Sequence, residues 1–328
     1  MMNVSTMRKL VDDLGDQIPE PVLRAVGLWD FDTGSIQYVR SSANHVFRFL
    51  QNGHPAYLRL TPLSSQTIQR IRNELAFIDY LKHKGMQVAY PLPSNENNLF
   101  EIVQSDSHDY GAVVFKGLDG TQWLEIEDLD EHLAQEWGRA LAEFHRLSQA
   151  YGVTDDFKRS DLVTMLEQAS LSLPPTETQV HQTLQAGLEW LASLDITPDN
   201  YGLLHGDFQL DNLAWDGASF QVLDFDDALY GWYAYDVAVA VDDLWSDNAE
   251  LLTIFLEAYQ SIMLQHDDLV QMIPRFLRLR QVWQFARLLK AYEGLDAEDQ
   301  PEWVNNMRAR HHRWFERTRA ELSKAFNW

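Results

Sequence analysis

The sequence predicts an α+β chain in two unequal lobes: a small antiparallel-sheet lobe over residues 1–116 and a larger, mainly helical lobe over residues 117–328. Three observations carry that expectation. The chain has 328 residues, 45% hydrophobic and 12% aromatic, enough to fill roughly two cores. Short aromatic and β-branched segments separated by turn residues crowd its first third. Most later segments repeat their apolar residues at helix spacing.

Taken in order, "SIQYVR", "NHVFRFLQ" and "AYLRLT" read as antiparallel strands. A helix follows over about residues 64–84, with Ser64 or Ser65 to cap its start and Gly85 to end it. "YGAVVFKGLDG" reads as a strand and a glycine-punctuated connector, and the pattern then turns helical. "EHLAQEWGRALAEFHRLSQAY", "TQVHQTLQAGLEWLASL", "ELLTIFLEAYQSIM", "LRLRQVWQFARLLKAY" and "WVNNMRARHHRWFERTRAELSKAF" all carry helix-period apolar positions. One segment interrupts them, "LLHGDFQLDNLAW", residues 203–215.

With no cysteine, disulfides, thiolate catalysis and cysteine zinc sites are excluded. The start lacks the apolar run of a signal peptide, and no stretch approaches the ~20 apolar residues that span a bilayer, so a cytoplasmic protein without a membrane partner is expected. The net charge is -23; residues 275–328 carry 11 Lys/Arg against 7 Asp/Glu, or +4, which leaves -27 on everything before them. Such acidity weighs against a nucleic-acid role. It suits either a solvated acidic surface or an acidic cleft for a cationic substrate.

Two constellations stand out. At 100° per residue Ile68, Ile71, Leu75, Ile78 and Leu81 form one stripe of the first long helix, and Glu74 falls inside it. A carboxylate buried there needs a cation, and Arg59 in "AYLRLT" is the nearest upstream candidate; otherwise Glu74 sits at the stripe's edge and reaches water. In the second, Asp207 and Asn212 lie five residues apart in one loop, and Asp224 follows the next apolar strand, "FQVL". Any one of these aspartates would more often be a turn residue or a cap. Together, oxygen ligands on adjacent strand ends suit a hard cation such as Mg²⁺, which is held by one or two carboxylates and substrate phosphates.

"HGDFQLDN" followed by "LDFDDA" resembles the catalytic motif pair of the aminoglycoside phosphotransferase and choline kinase superfamily, relatives of the protein kinases. The resemblance extends over nearly the whole chain and implies a two-lobed protein-kinase-like fold. It implies Asp207 as the catalytic base, Asn212 and Asp224 as Mg²⁺ ligands, and ATP as the phosphoryl donor. Such a reaction needs mostly positioning, charge neutralisation and an aspartate to take the acceptor's proton. His205 then has a structural role in the loop, Asp226 assists metal or substrate, and Asp236 resembles the helix-start aspartate that braces the loop. Nucleotide contacts are implied for Ser41, Ser42, Ala43, Asn44, Arg59, Glu74 and Phe115.

The first lobe departs from the superfamily pattern. Where many relatives have a glycine-rich loop and a lysine, this chain has "RSSANHVFRF" and Arg59. Ser41–Asn44 can present backbone N–H groups to phosphate with less freedom than glycine, and Arg59 can meet phosphate and Glu74 together. No GxxxxGK[ST] is present, which excludes a Walker-type loop. His311 and His312 point about 100° apart on a helix and read as surface residues. Trp283, Tyr230, Trp232 and Tyr235 read as core or as an acceptor-pocket wall. The expected activity is ATP- and Mg²⁺-dependent transfer to a hydroxyl of a small, cationic or zwitterionic molecule: an amino alcohol, a hydroxy amino acid or an aminoglycoside-like compound. Phosphorylation of protein Ser/Thr and a non-catalytic nucleotide-binding scaffold are the alternatives.

Overall fold

A computed structural model describes the chain except for residues 15–16, 107, 119–122, 152–159, 264–267 and 296–299. The chain divides into two compact units, Met1–Leu129 with Tyr151–Arg159 and Leu210–Asp227, and Asp130–Ala150 with Ser160–Gln209 and Ala228–Trp328.

In the first unit, α1 (Val4–Val11) and α2 (Glu20–Val26) precede an antiparallel sheet built from β1 (Gln37–Ser41), β2 (His45–Gln51) and β3 (His54–Pro62). Helix α3 (Ser65–His83) follows, then β4 (Pro91–Leu92), β5 (Glu101–Val103) and β6 (Tyr110–Lys116). The strand order is β1-β2-β3-β6-β4, with β5 also on β6. Period-2 alternation along β3 sorts the two faces. Leu58 and Leu60 point into an apolar core shared with Val22, Val26 and Trp29. Arg59 belongs to the other face, where its register partner Val113 packs with Ile71 and Leu75 of α3. The three expected strands and the expected helix are thus present. Ser64 accepts the Thr67 N–H as N-cap, and Gly85, at φ +90°, follows the helix end where only glycine turns left-handed without strain.

The second unit opens with α4 (Glu131–Ala150), α5 (Leu162–Leu171), α6 (Thr178–Ala192) and β7 (Tyr201–Leu204). The chain then returns to the first unit as the hairpin β8 (Leu213–Trp215) and β9 (Phe220–Val222). It completes the second with β10 (Leu229–Trp232), which pairs with β7, and with α7 (Tyr233–Ala240), α8 (Asp242–Asp247), α9 (Ala249–Gln260), α10 (Leu269–Ala291) and α11 (Glu302–Leu322). Helix α4 packs on α9 through Trp137 and Phe255, 5.1 Å between ring centroids. Gly138 permits the approach, since a Cβ there would lie 2.3 Å from the Phe255 carbonyl oxygen. Among the described residues, no helix is long and apolar enough to cross a membrane.

The division differs from the expected break after residue 116. The first unit runs on to Leu129, and the β8/β9 hairpin joins it through main-chain bonds: Ala89 N–H donates to Val222 O at 2.9 Å and Val222 N–H to Gln87 O at 3.0 Å. Sequence patterning carries no record of such a long-range pairing. All eight residues of α7 are buried, so it has no polar face and no amphipathic period to read.

Candidate active site

The first unit contains a cavity of about 290 Å³. Its walls are mostly apolar, with Val46, Ile78, Ala89 and Phe115 among them, and its polar groups include Arg59, Asn212 and Asp224. Strand alternation turns Arg59 toward α3, and the apolar stripe of α3 carries Glu74 to meet it. Arg59 Nη1 and Nη2 donate to Glu74 Oε1 and Oε2, each at 2.7 Å, with the two side chains 7% and 0% exposed. Burial alone would lower the pKa of the guanidinium, but Glu74, with Asp226 and Asp224 nearby, outweighs it and holds the pKa above its ordinary value. The guanidinium also lies over the Phe115 ring, 5.2 Å from its centroid. Glu74 is an anchor behind Arg59 and does not itself line the cavity.

The β8/β9 hairpin brings Asn212 and Asp224 together. Leu213 pairs with Val222, and Leu223 N–H donates to Asn212 O at 2.9 Å, so the two residues occupy neighbouring strand ends. Asp224 has φ +58°, a left-handed conformation unusual for a non-glycine residue. Its Oδ1 is buried without a hydrogen-bond partner, 3.9 Å from Arg59 Nη1, and its Oδ2 lies 3.5 Å from Arg40 Nη2. Among the described residues no three His, Asp or Glu side chains form a metal-holding group. One carboxylate with an unsatisfied oxygen beside one amide fits a hard cation that takes its remaining ligands from phosphate and water.

Burial, then the neighbouring Asp226, pushes the Asp224 carboxyl up from 3.8 to about 6 against the pull of Arg59. Folding therefore favours the protonated form, and this group's stabilising contribution, fully present below about pH 4, is lost as pH rises through about 6. Because a cation competes with that proton, Mg²⁺ with AMP-PNP should raise the melting temperature more at about pH 7.5 than at about pH 5. Asp224→Ala should remove both the metal dependence and its change with pH. An unchanged metal-dependent shift in that variant would place the cation elsewhere.

Residues Ser41 to Asn44 form the turn between β1 and β2, and the cavity wall is supplied instead by their neighbours Val39 and Arg40. The β1/β2 register shifts between Tyr38 and Arg40. Such irregularities re-aim side chains beside functional sites. Within the turn, the Ser42 N–H is committed to Asn44 O at 3.0 Å, and Ser41 Oγ lies 2.7 Å from His45 Nδ1. Asn44 points inward: its Nδ2 donates to Asp226 Oδ2 at 3.3 Å, and its Oδ1 accepts from Thr61. With Arg70 Nη2 3.1 Å from Asp226 Oδ1, these contacts make Asp226 a buried tie within the first unit. Ser41 to Asn44 are thus not among the residues that line the cavity. Arg40 and Lys116 are exposed cations at the cavity.

In the second unit, β7 ends at the His-Gly-Asp segment. Asp236, in the first turn of α7, accepts the N–H groups of His205 at 2.7 Å and Gly206 at 2.8 Å. Its Oδ2 also lies 3.1 Å from His145 Nε2, and His145 Nδ1 is 2.7 Å from the Tyr259 hydroxyl. Burial lowers the His145 pKa, against the pull of Asp236. His205 Nδ1 lies 3.3 Å from the Asp207 N–H, a loop-holding geometry. Asp207 Oδ1 accepts from Arg280 Nη2 of α10 at 2.9 Å. Sequence reasoning missed Arg280, Arg40 and His145. The signal for Arg280 was a cation in the apolar stripe of α10, the same signal that singled out Glu74.

The remaining candidates belong to packing or surface. His311 Nδ1 lies 2.7 Å from the Tyr292 hydroxyl, and His312 is exposed. Trp283 stacks with Arg287, and Trp232 and Tyr235 are buried, Trp232 donating to Asp195 O.

The family model described as "Phosphotransferase enzyme family" matches residues 35–273, well over half the chain. The amicoumacin kinase of Bacillus subtilis is 25% identical over 286 residues, covering 82% of this chain and 84% of that protein. A homoserine kinase of Methylobacillus flagellatus is 24% identical over 243 residues, covering 71% and 73%. The solved structure of an amicoumacin kinase in complex with AMP-PNP, Ca²⁺ and Ami superposes with a TM-score of 0.78 at 24% identity, covering 96% of each chain, so the fold is kinase-like. The match over residues 35–273 shows that this protein belongs to the phosphotransferase enzyme family.

Proposed function

We propose that the protein transfers the γ-phosphate of ATP, in the presence of Mg²⁺, to a hydroxyl of a small amine-bearing molecule. The observation that carries this reading is the first unit's cavity, in which apolar walls, the buried cation Arg59 and the Asn212/Asp224 pair meet. Apolar walls suit a nucleotide base, and Arg59 and Arg40 suit its phosphates. Asn212 and Asp224 would hold the divalent cation, which on binding neutralises the phosphate charge. Asp207 accepts the acceptor's hydroxyl proton as the new O–P bond forms and the bond to the β-phosphate oxygen breaks.

Two relatives are named for hydroxyl-bearing acceptors, amicoumacin and homoserine. A structural neighbour holds AMP-PNP and Ca²⁺, which supports a nucleotide with a divalent cation here. The chain's charge of -23 favours an acceptor with an ammonium group. The test is ATP consumption with Mg²⁺ against homoserine, 1-amino-2-propanol, choline, amicoumacin and a Ser/Thr peptide library. Phosphorylation of an amine-bearing small molecule is expected. Turnover on peptides alone would move the protein to the protein-kinase reading, and AMP-PNP binding without turnover on any acceptor would favour a scaffold.

A further inference from the structure

We infer that Arg280 is a positioning residue that fixes the carboxylate of Asp207 for proton acceptance; this rests on the reading of Asp207 as the base. Arg280 sits in α10 between the fully buried Leu279 and Val282, and is itself only 5% exposed. A guanidinium in an apolar layer is costly, and its Nε has no hydrogen-bond partner. An apolar side chain would serve packing better. What the arginine gains is a set of contacts directed at one loop. Nη2 donates to Asp207 Oδ1 at 2.9 Å and to Gln209 Oε1 at 2.7 Å, and Nη1 donates to Val239 O at 3.3 Å.

Val239 belongs to α7, the helix whose first turn also carries Asp236. The loop is therefore tied to α7 at two points, through Asp236 on the N–H groups of His205 and Gly206 and through Arg280 on the side chains of Asp207 and Gln209. Asp242 of α8 is a further acidic group in the field of Arg280. Arg280 exchanges no proton. It holds Oδ1 in place while the carboxylate receives the proton released as the acceptor oxygen bonds to phosphorus and the bond to the β-phosphate oxygen breaks.

Lysine would keep the charge but cannot reach three acceptors on two arms. With Mg-ATP and water as acceptor, read as phosphate release, Arg280→Lys should lower kcat about 10- to 100-fold and leave KM for ATP nearly unchanged, as misplacing a reacting group does. In an Asp207→Asn background the same substitution should have no further effect. Arg280→Ala should regain turnover when guanidinium ion is added at concentrations that leave the far-UV circular dichroism unchanged. Parental kcat in Arg280→Lys while Asp207→Asn is inactive would overturn the role of Arg280 and leave the base in place. Near-parental turnover in Asp207→Asn would instead overturn the base reading, and the role of Arg280 with it. Loss of fold in Arg280→Lys, or full additivity of the two substitutions, would make Arg280 a packing residue.

Discussion

Asp207→Asn should lower turnover by about 10²–10⁴-fold, the range that general-base catalysis contributes, with the fold and Mg-AMP-PNP binding retained. Asparagine matches aspartate in size and can still accept from Arg280 Nη2 through its amide oxygen, so the loop keeps its tie to α10. What it loses is the capacity to take a proton at neutral pH. Side-by-side measurement of turnover, of nucleotide binding by thermal shift and of secondary structure separates these effects. Turnover near the parental level would remove Asp207 from the role of base. Loss of nucleotide binding together with turnover would make the residue structural.

Glu74→Gln should cost about 3–5 kcal/mol of stability, the typical result of removing one partner from a buried ion pair. Both members of the pair are sequestered and bonded in a two-pronged fork, so the substitution leaves the Arg59 charge buried with half its bonds. Against a net stability of ~5–15 kcal/mol, that is a large fraction. Nucleotide affinity should fall as well, although residue 74 does not line the cavity, because Arg59 loses its anchor. Urea unfolding and AMP-PNP titration read the two effects. A loss of about 1 kcal/mol or less, with affinity intact, would assign the pair the weight of an exposed salt bridge. Arg59→Lys keeps the charge but gives up the fork, and should therefore keep more affinity than Arg59→Ala.

Those two residues also show what could be read in advance. Glu74 was legible because a charge in the middle of an apolar stripe violates a local rule, and the partner strand lies only a short way upstream. The loop around Asp207 was legible because four polar residues break an apolar run, and the motif resemblance ordered them into roles. Arg280 obeys the same logic as Glu74, but it lies 73 residues beyond Asp207 on a helix that also carries Arg278, Arg287 and Lys290, and nothing in the sequence singles out one of these cations. Asn44 has its expected place in a turn between strands, and its buried partner, Asp226, lies 182 residues away. Neither tie has a period or a composition, so only the folded chain displays it. The main-chain bonds between the β8/β9 hairpin and residues 87–89 are long-range in the same way.

The left-handed backbone of Asp224 sets stability and activity against each other at a single position. Glycine would adopt that conformation without steric penalty, and asparagine, which visits it more readily than most residues, would do so with the side-chain size nearly unchanged. Either would also remove a carboxylate that burial and Asp226 already disfavour. Selection for thermal tolerance alone would therefore drift toward glycine or asparagine at residue 224, and on the proposed role of Asp224 the products would lose turnover. A library screened for heat resistance should therefore be counter-screened for turnover at this codon first.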